Sequence, residues 1–256
     1  MNLKSILFSF LCRYPSLFSR VQLSRSKPDV TQLAFLSLVA RGQTVFDVGA
    51  NFGSYTRLFS KLVGRRAGGV YAFEPVAASM KRLQQAVQGI NNVTLVKKGL
   101  GLVPQKATIF IPNGDLGQSS LAKHHVGSWS GDASCAEETI EMTTLDLFVE
   151  ENGIQRLDFL KVDVEGGEAS VLKGGEKTIR QFLPTLYLEL NSHWLKDYDE
   201  SPVTVSNRLA QWGYSNIYVP QVAGRRFGFR GATPREMDNR DFLFSPNPLQ
   251  RKLLND

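Results

Sequence analysis

Short apolar runs and amphipathic stretches alternate along the middle of the chain. Thr44 to Val48 reads as a buried strand and Gly49 to Gly53 as a tight turn. Tyr55, Leu58, Phe59 and Leu62 then fall at helical spacing until Gly64 ends the helix. Val70 to Phe73 is a second strand. Pro75 opens a helix whose inner stripe is Met80, Leu83 and Val87, Gly89 closes it, and Val93 to Val96 is a third strand. Strand, helix, strand, helix, strand with these connections predicts parallel pairing through right-handed crossovers.

The pattern continues with a strand at Ala107 to Ile111. A Gly-, Ser- and Asn-rich stretch over 112–136 then reads as an irregular loop or lid, and Glu141 to Thr143 as a return strand. A helix carries Leu145, Leu147 and Phe148, and Phe159 to Val162 is a buried strand. Glu168 to Phe182 is helical, with Gly174 and Gly175 set to bend its middle. Thr185 to Leu190 is a strand, and Pro202 opens a helix that runs through Trp212 to a Gly213 cap. Ile217–Val219, Phe227–Phe229 and Phe242–Phe244 read as short closing strands, the last pair antiparallel. Upstream, Pro28 and Asp29 start a helix through Ala40 that Gly42 stops. The expected fold is α/β: a mostly parallel central sheet, helices on both faces and a closing antiparallel strand. The expected organisation is a helical extension over 1–41, a catalytic domain over 42–220, and closing strands and tail over 221–256 of the same domain.

Composition narrows the class. With 42% apolar and 21% charged residues in 256, the chain is neither disordered nor fibrous. Two cysteines, Cys12 and Cys135, make no disulfide framework and no Cys-x-x-Cys zinc site, which fits a reducing, cytoplasmic setting. The charge of +6 sits at the ends: net +5 over 1–41, −2 over 42–220 and +3 over 221–256. The apolar run Ile6 to Cys12 falls short of the ~20 residues a spanning helix needs. Arg13 and Tyr14 follow it where a signal peptide would place its cleavage site. The segment is expected to form an amphipathic helix that caps the core, lines an entrance or touches a partner. Peripheral membrane contact stays open, because apolar side chains and positive charge coincide there.

The chemistry collects at strand ends. In Phe46–Thr56, FDVGANFGSYT, Gly49 and Gly53 let backbone approach a ligand at a helix N-terminus. Asn51 stands where a dinucleotide fingerprint has its second glycine. Asp47 suits a ligand carrying an amino group and a sulfonium better than a diphosphate. Glu74, in YAFEP, ends the second strand and can accept both hydroxyls of a ribose. Together these residues favour S-adenosylmethionine over a nicotinamide dinucleotide. In LKVDVEGGE, Asp163 reaches the top of the next strand, positioned to orient the methionine amino group or the methyl acceptor, and Glu165 can contact an acceptor hydroxyl. In YLELNSHW, Glu189 and His193 lie at or just past the following strand end, and histidine is the natural base near neutral pH.

These four segments resemble the FkbM family of S-adenosylmethionine-dependent methyltransferases over about residues 44–220, the pairing of FDVGAN with KVDVEG and VLKGGEKTI being the specific part. The resemblance implies a seven-stranded Rossmann-like class I methyltransferase sheet. It also implies O-methylation of a hydroxyl on a sugar, polyketide or related small metabolite or glycan. Carried onto this chain, the cofactor turn is Asp47, Gly49, Ala50, Asn51 and Gly53, leading into Ser54 and Tyr55. Glu74 is the ribose carboxylate, Lys98 and Gly99 flank adenine, Asp163 and Glu165 belong to the signature, and Ser119–Ser120 match a serine pair of the central loop. His193 is the first base candidate, then Glu165 or Glu189. Asp163, Glu165 and Glu189 near one cleft could also bind a divalent ion. His124, His125 and Trp129 are secondary candidates on the lid. Competing readings are a dehydrogenase, a methyltransferase fold serving as a binding or scaffold protein, and a nucleic-acid methyltransferase. The last lacks the Asn/Asp-Pro-Pro-aromatic tetrad of base-methylating enzymes, so nucleic acid is not the expected partner.

Overall fold

The computed structural model describes residues 10–12, 14–64, 68–112, 115–124, 129, 135–236 and 240–249. Two helices, α1 (Pro15–Leu23) and α2 (Val30–Leu38), precede the first strand. The central elements follow as β1 (Thr44–Val48), α3 (Ser54–Val63), β2 (Gly69–Phe73), α4 (Ala77–Ala86) and β3 (Val93–Val96). Next come β4 (Gly99–Leu100), β5 (Gln105–Pro112), β6 (Cys135–Thr143), α5 (Leu145–Glu151) and β7 (Phe159–Val162). The chain continues through α6 (Glu168–Lys173), α7 (Glu176–Phe182), β8 (Thr185–Leu190), α8 (Ser192–Leu195) and α9 (Pro202–Gln211). It closes with β9 (Asn216–Ala223), β10 (Arg226–Gly231) and β11 (Arg240–Ser245).

Eight strands form the main sheet in the order β3-β2-β1-β7-β8-β11-β9-β10. The five from β3 to β8 are parallel, and β11 runs antiparallel between β8 and β9. This is the expected Rossmann-like class I arrangement with one strand more, because β9 and β10 form a hairpin at the edge. Phe242–Phe244 therefore pairs with β8 and β9, not with Phe227–Phe229. Strand order reverses at β1, between β2 and β7, and that switch point opens a crevice at the strands' carboxyl ends.

Strands buried on both faces read as continuous apolar runs, as in TVFDV and FLKV. One face packs Phe46, Val48, Leu160, Val162 and Leu188 against Phe148, Leu172 and Leu209. The other packs Val45, Phe159, Tyr187 and Leu243 beneath Leu33, Phe35, Leu58 and Phe59. Phe35 of α2 sits with its ring centroid 4.7 to 5.7 Å from those of Tyr55, Phe59, Phe159 and Tyr187. A fully buried phenylalanine contributes about 1.5–3 kcal/mol, so α2 belongs to this core. Asp29 caps it by accepting the Gln32 N–H at 2.8 Å.

Two elements differ from the sequence pattern. β6 begins at Cys135, and β5 and β6 pair antiparallel from Gln105↔Met142 to Pro112↔Cys135; with β4 they make a second, three-stranded sheet. The glutamates on one face of CAEETIEMT mask a strand whose other face buries Ile140 and Met142 with Ile109, Ile111 and Val76. Residues 168–182 are two helices, not one bent helix. A Cβ on Gly174 would lie 2.0 Å from the Gly101 carbonyl oxygen, and one on Gly175 would lie 2.5 Å from the Leu145 side chain.

Candidate active site

The crevice at the switch point encloses about 930 Å³ of space, its open mouth included. Its floor is the ends of β1, β2, β7 and β8, and the β5–β6 arm forms an apolar wall through Ile109, Ile140 and Met142. The chain turns sharply after β1 because Gly49 adopts φ +76°, and a Cβ there would lie 1.8 Å from the Asp163 carbonyl oxygen. The Gly49 and Ala50 N–H groups donate to the Phe73 carbonyl at 3.1 and 3.0 Å, locking the turn onto β2.

Glu74 lines the crevice. Its Oε2 accepts the Asn51 N–H and its Oε1 the Val76 N–H, both at 2.9 Å. Burial raises its pKa to about 7 against the pull of those two amides. Each oxygen keeps a lone pair for a ribose hydroxyl. Asn51, Lys98, Gly99, Ser119 and Ser120 also line this space. Other residues expected at the cofactor do not line this space. Asp47 is wholly buried, accepts from the Thr56 hydroxyl at 2.6 Å and lies 3.4 Å from Lys161 Nζ. Ala50 packs with Ala72, Met80 and Leu83. Gly53 caps α3 at φ +82°, Ser54 is exposed in the first turn, and Tyr55 packs edge-on to Phe35.

Beyond the cofactor end stand Asp163, Glu165 and Glu189, with carboxylate oxygens within 4.8 Å of one another. Lys161 is their counter-ion: Nζ lies 3.1 Å from Asp163 Oδ2 and donates to the Gly49 carbonyl at 3.1 Å. Burial alone would raise the Asp163 pKa, but Lys161 and a hydrogen bond from Glu189 hold it below the ordinary carboxylate range. Burial opposes the Lys161 charge, and Asp163 and Asp47 outweigh it and hold its pKa up. Burial and the neighbouring Asp163 push Glu165 to about 9 and Glu189 to about 10. Within the cluster, Lys161 favours ionisation of Asp163, while burial beside that charge favours the protonated forms of Glu165 and Glu189; the spacing would also suit a hard divalent cation. Asp163 and Glu189 also line a second polar cavity with Thr31, Tyr55, Tyr187 and Asp241.

Glu165 sits at φ +55°, a left-handed conformation costly for a side chain. Its carbonyl oxygen is gripped by the lid: the Ser120 hydroxyl lies 2.8 Å away and His124 Nε2 3.0 Å away. His124 Nδ1 meets Asp197 Oδ2 at 2.6 Å, and the ring stacks on Trp194 and meets Trp129 edge-on. Ser120 and His124 thus fasten this segment to the Glu165 turn, and Trp129 packs edge-on to the His124 ring. His125 lies outside the described residues.

His193 is not part of this constellation. In α8 it is exposed, while Trp194 and Leu195 turn inward, and it does not line the crevice. Sequence reasoning missed Lys161, whose signal is a lone lysine inside the otherwise apolar FLKV strand. It also missed Asp197 and Asp241, which carry no local signal and are placed only by tertiary structure.

An open α/β sheet with a glycine turn and an acidic second strand end is the arrangement of a nucleoside-cofactor site. The sequence profile of the methyltransferase FkbM domain matches residues 47–215, and the chain belongs to that family. The chain is 24% identical over 153 residues to the 2-O-methyltransferase NoeI of Sinorhizobium fredii, covering 56% of this chain and 62% of that protein. The solved methyltransferase FkbM from Methylobacillus flagellatus superposes with a TM-score of 0.54 at 16% identity, over 93% of this chain and 54% of that one, which establishes the fold. The chain thus spans less than two thirds of the length of these relatives.

Proposed function

We propose that the protein transfers a methyl group from S-adenosylmethionine to a hydroxyl of a sugar, glycan or related small metabolite. The observation that carries this reading is the continuity of one crevice. Glu74, braced by two main-chain amides, stands at one end, and the Asp163–Glu165–Glu189 cluster at the other. The residues fit the cofactor. Gly49 allows the sharp turn that a Cβ would block by striking the Asp163 carbonyl, Glu74 would take the ribose, Lys98 and Gly99 would flank the base, and the carboxylates would face the sulfonium. Similarity to a 2-O-methyltransferase supports oxygen as the acceptor atom. The free thiols Cys12 and Cys135 fit action in the cytoplasm.

S-adenosylmethionine supplies an electrophilic methyl group on a sulfonium. An O–C bond forms as the C–S bond breaks, and the hydroxyl proton must leave. Glu165 is the assigned proton acceptor: its Oε2 is buried and has no hydrogen-bond partner, whereas Asp163 is held by Lys161 and Glu189. Burial and Asp163 raise the Glu165 pKa to about 9, and a bound sulfonium would favour its ionised, proton-accepting form. The apolar wall of Ile109, Ile140 and Met142 would limit competing water at the site.

Calorimetric titration with S-adenosylmethionine and S-adenosylhomocysteine tests the cofactor site. Saturable binding is expected. Glu74→Ala should weaken it roughly tenfold to several-hundredfold, the loss of one or two charge-assisted hydrogen bonds. Folded protein that binds neither compound overturns the reading. Release of S-adenosylhomocysteine in a screen of hydroxylated sugars then tests the acceptor class.

A further inference from the structure

The N-terminal helix covers the core with one face and leaves the other bare. Phe18 and Leu23 of α1, with Leu11 and Cys12 ahead of it, are buried in the core beneath α2. Phe10, Tyr14, Leu17 and Val21 point to solvent, 50, 52, 42 and 42% exposed. Leu17 and Val21, four residues apart, share the exposed face of α1, and Phe10 and Tyr14 lie just ahead of the helix with ring centroids 5.2 Å apart. Four large apolar side chains in a row are a different matter from scattered exposed ones.

Charge identifies the occupant. Residues 1–28 contain Lys4, Arg13, Arg20, Arg25 and Lys27 and not one acid; the first acid, Asp29, is engaged in capping α2. Arg20, Arg25 and Lys27 are exposed around the apolar stripe. A second copy of this helix would set like charge against like charge. A neutral apolar groove would leave the bases without counter-ions. We propose that α1 docks in the plane of an anionic phospholipid surface, with its apolar stripe among the acyl chains and its bases at the headgroups. No helix among the described residues is long and apolar enough to cross a membrane.

The docking face is coupled to the catalytic edge. A side-chain hydrogen bond joins Gln22 of α1 to Gln32 of α2. The Thr31 hydroxyl of α2 donates to Asp241 at 2.7 Å, in the cavity that Asp163 and Glu189 share with the active-site crevice. α1 is thus tied through α2 to the polar cavity that Asp163 and Glu189 line.

The test is co-sedimentation of the purified full chain with phosphatidylcholine vesicles, with and without about one third phosphatidylglycerol. Binding is expected to the anionic vesicles and not to phosphatidylcholine alone, and to fall at high salt. Arg20→Glu should lose roughly fivefold or more in affinity. Leu17→Glu combined with Val21→Glu should lose roughly tenfold or more. Both positions are exposed, so circular dichroism and the melting temperature should match wild type, which separates lost docking from lost folding. Absence of binding to anionic vesicles, or equal binding by wild type and the double variant, overturns the proposal. So does a wild-type dimer that the double variant dissociates without any vesicle binding, which would assign the face to a second copy.

Discussion

Lys161→Met is the most searching perturbation of the active-site framework. Lys161 is 3% exposed, and its Nζ bridges Asp47 at 3.4 Å, Asp163 at 3.1 Å and the Gly49 carbonyl at 3.1 Å. Methionine fills nearly the same volume, so the packing loss is small and the electrostatic loss dominates. Asp47 and Asp163 would face each other without a cation, and stranding a buried charge costs about 3–5 kcal/mol. At roughly 2–4 °C per kcal/mol for a chain of this size, the melting temperature should fall by on the order of 10 °C.

The pH dependence of that deficit carries the cause. Asp163 has a folded-state pKa depressed below its unfolded one, so its contribution is present above the unfolded value near 4 and lost as pH falls through the folded value. Lys161 is raised, so its contribution is full below the unfolded value of about 10 and lost as pH rises beyond it. The deficit of Lys161→Met should therefore be widest between these limits and shrink on acidification, as the two aspartates take up protons. In a background of Asp47→Asn, which removes one of the stranded charges, Lys161→Met should cost less. The coupling energy from the double-mutant cycle measures the difference. Thermal melts of the four proteins from acid to mildly alkaline pH decide the matter. A melting temperature within a degree or two of wild type, or a deficit independent of pH, would refute the pairing.

Two further outcomes separate the candidate bases. The acceptor kcat/KM should rise with pH along a limb set by Glu165, which sits near 9 before the cofactor binds, and Glu165→Gln should abolish both the limb and most turnover. An unchanged pH profile in Glu165→Gln would remove it from that role. His193→Ala should leave turnover within about twofold of wild type, as befits an exposed residue outside the crevice. A large fall in kcat at unchanged cofactor affinity would return His193 to the mechanism.

What the sequence disclosed and what it concealed divide along a physical line. Strands buried on both faces write themselves as apolar runs, so β1, β2, β7 and β8 were legible almost to the residue, as was the apolar edge strand β3, and the acids that end β2, β7 and β8 marked the crevice. Glu74, Asp163, Glu165 and Glu189 do meet in one space, because parallel strands bring their carboxyl ends to one edge whatever their separation in sequence. Strand β5 and the end of β6 were legible, but the start of β6 was concealed because a strand with one solvent face carries its signal in alternation, and Glu137 and Glu138 in succession made it look like polar loop. His193 misled for a related reason. Its distance past β8 is right, but α8 begins at Ser192, and that helix turns Trp194 and Leu195 inward and the imidazole out. Lys161 shows the opposite case. A lysine in the middle of a fully buried strand is tolerated only where carboxylates await it, so the FLKV run already implied the Asp47–Lys161–Asp163 bridge that the fold supplies. A buried charge in an apolar strand is thus a sharper pointer to this site than a histidine placed by distance alone, because burying it without partners would cost more than the fold can spare.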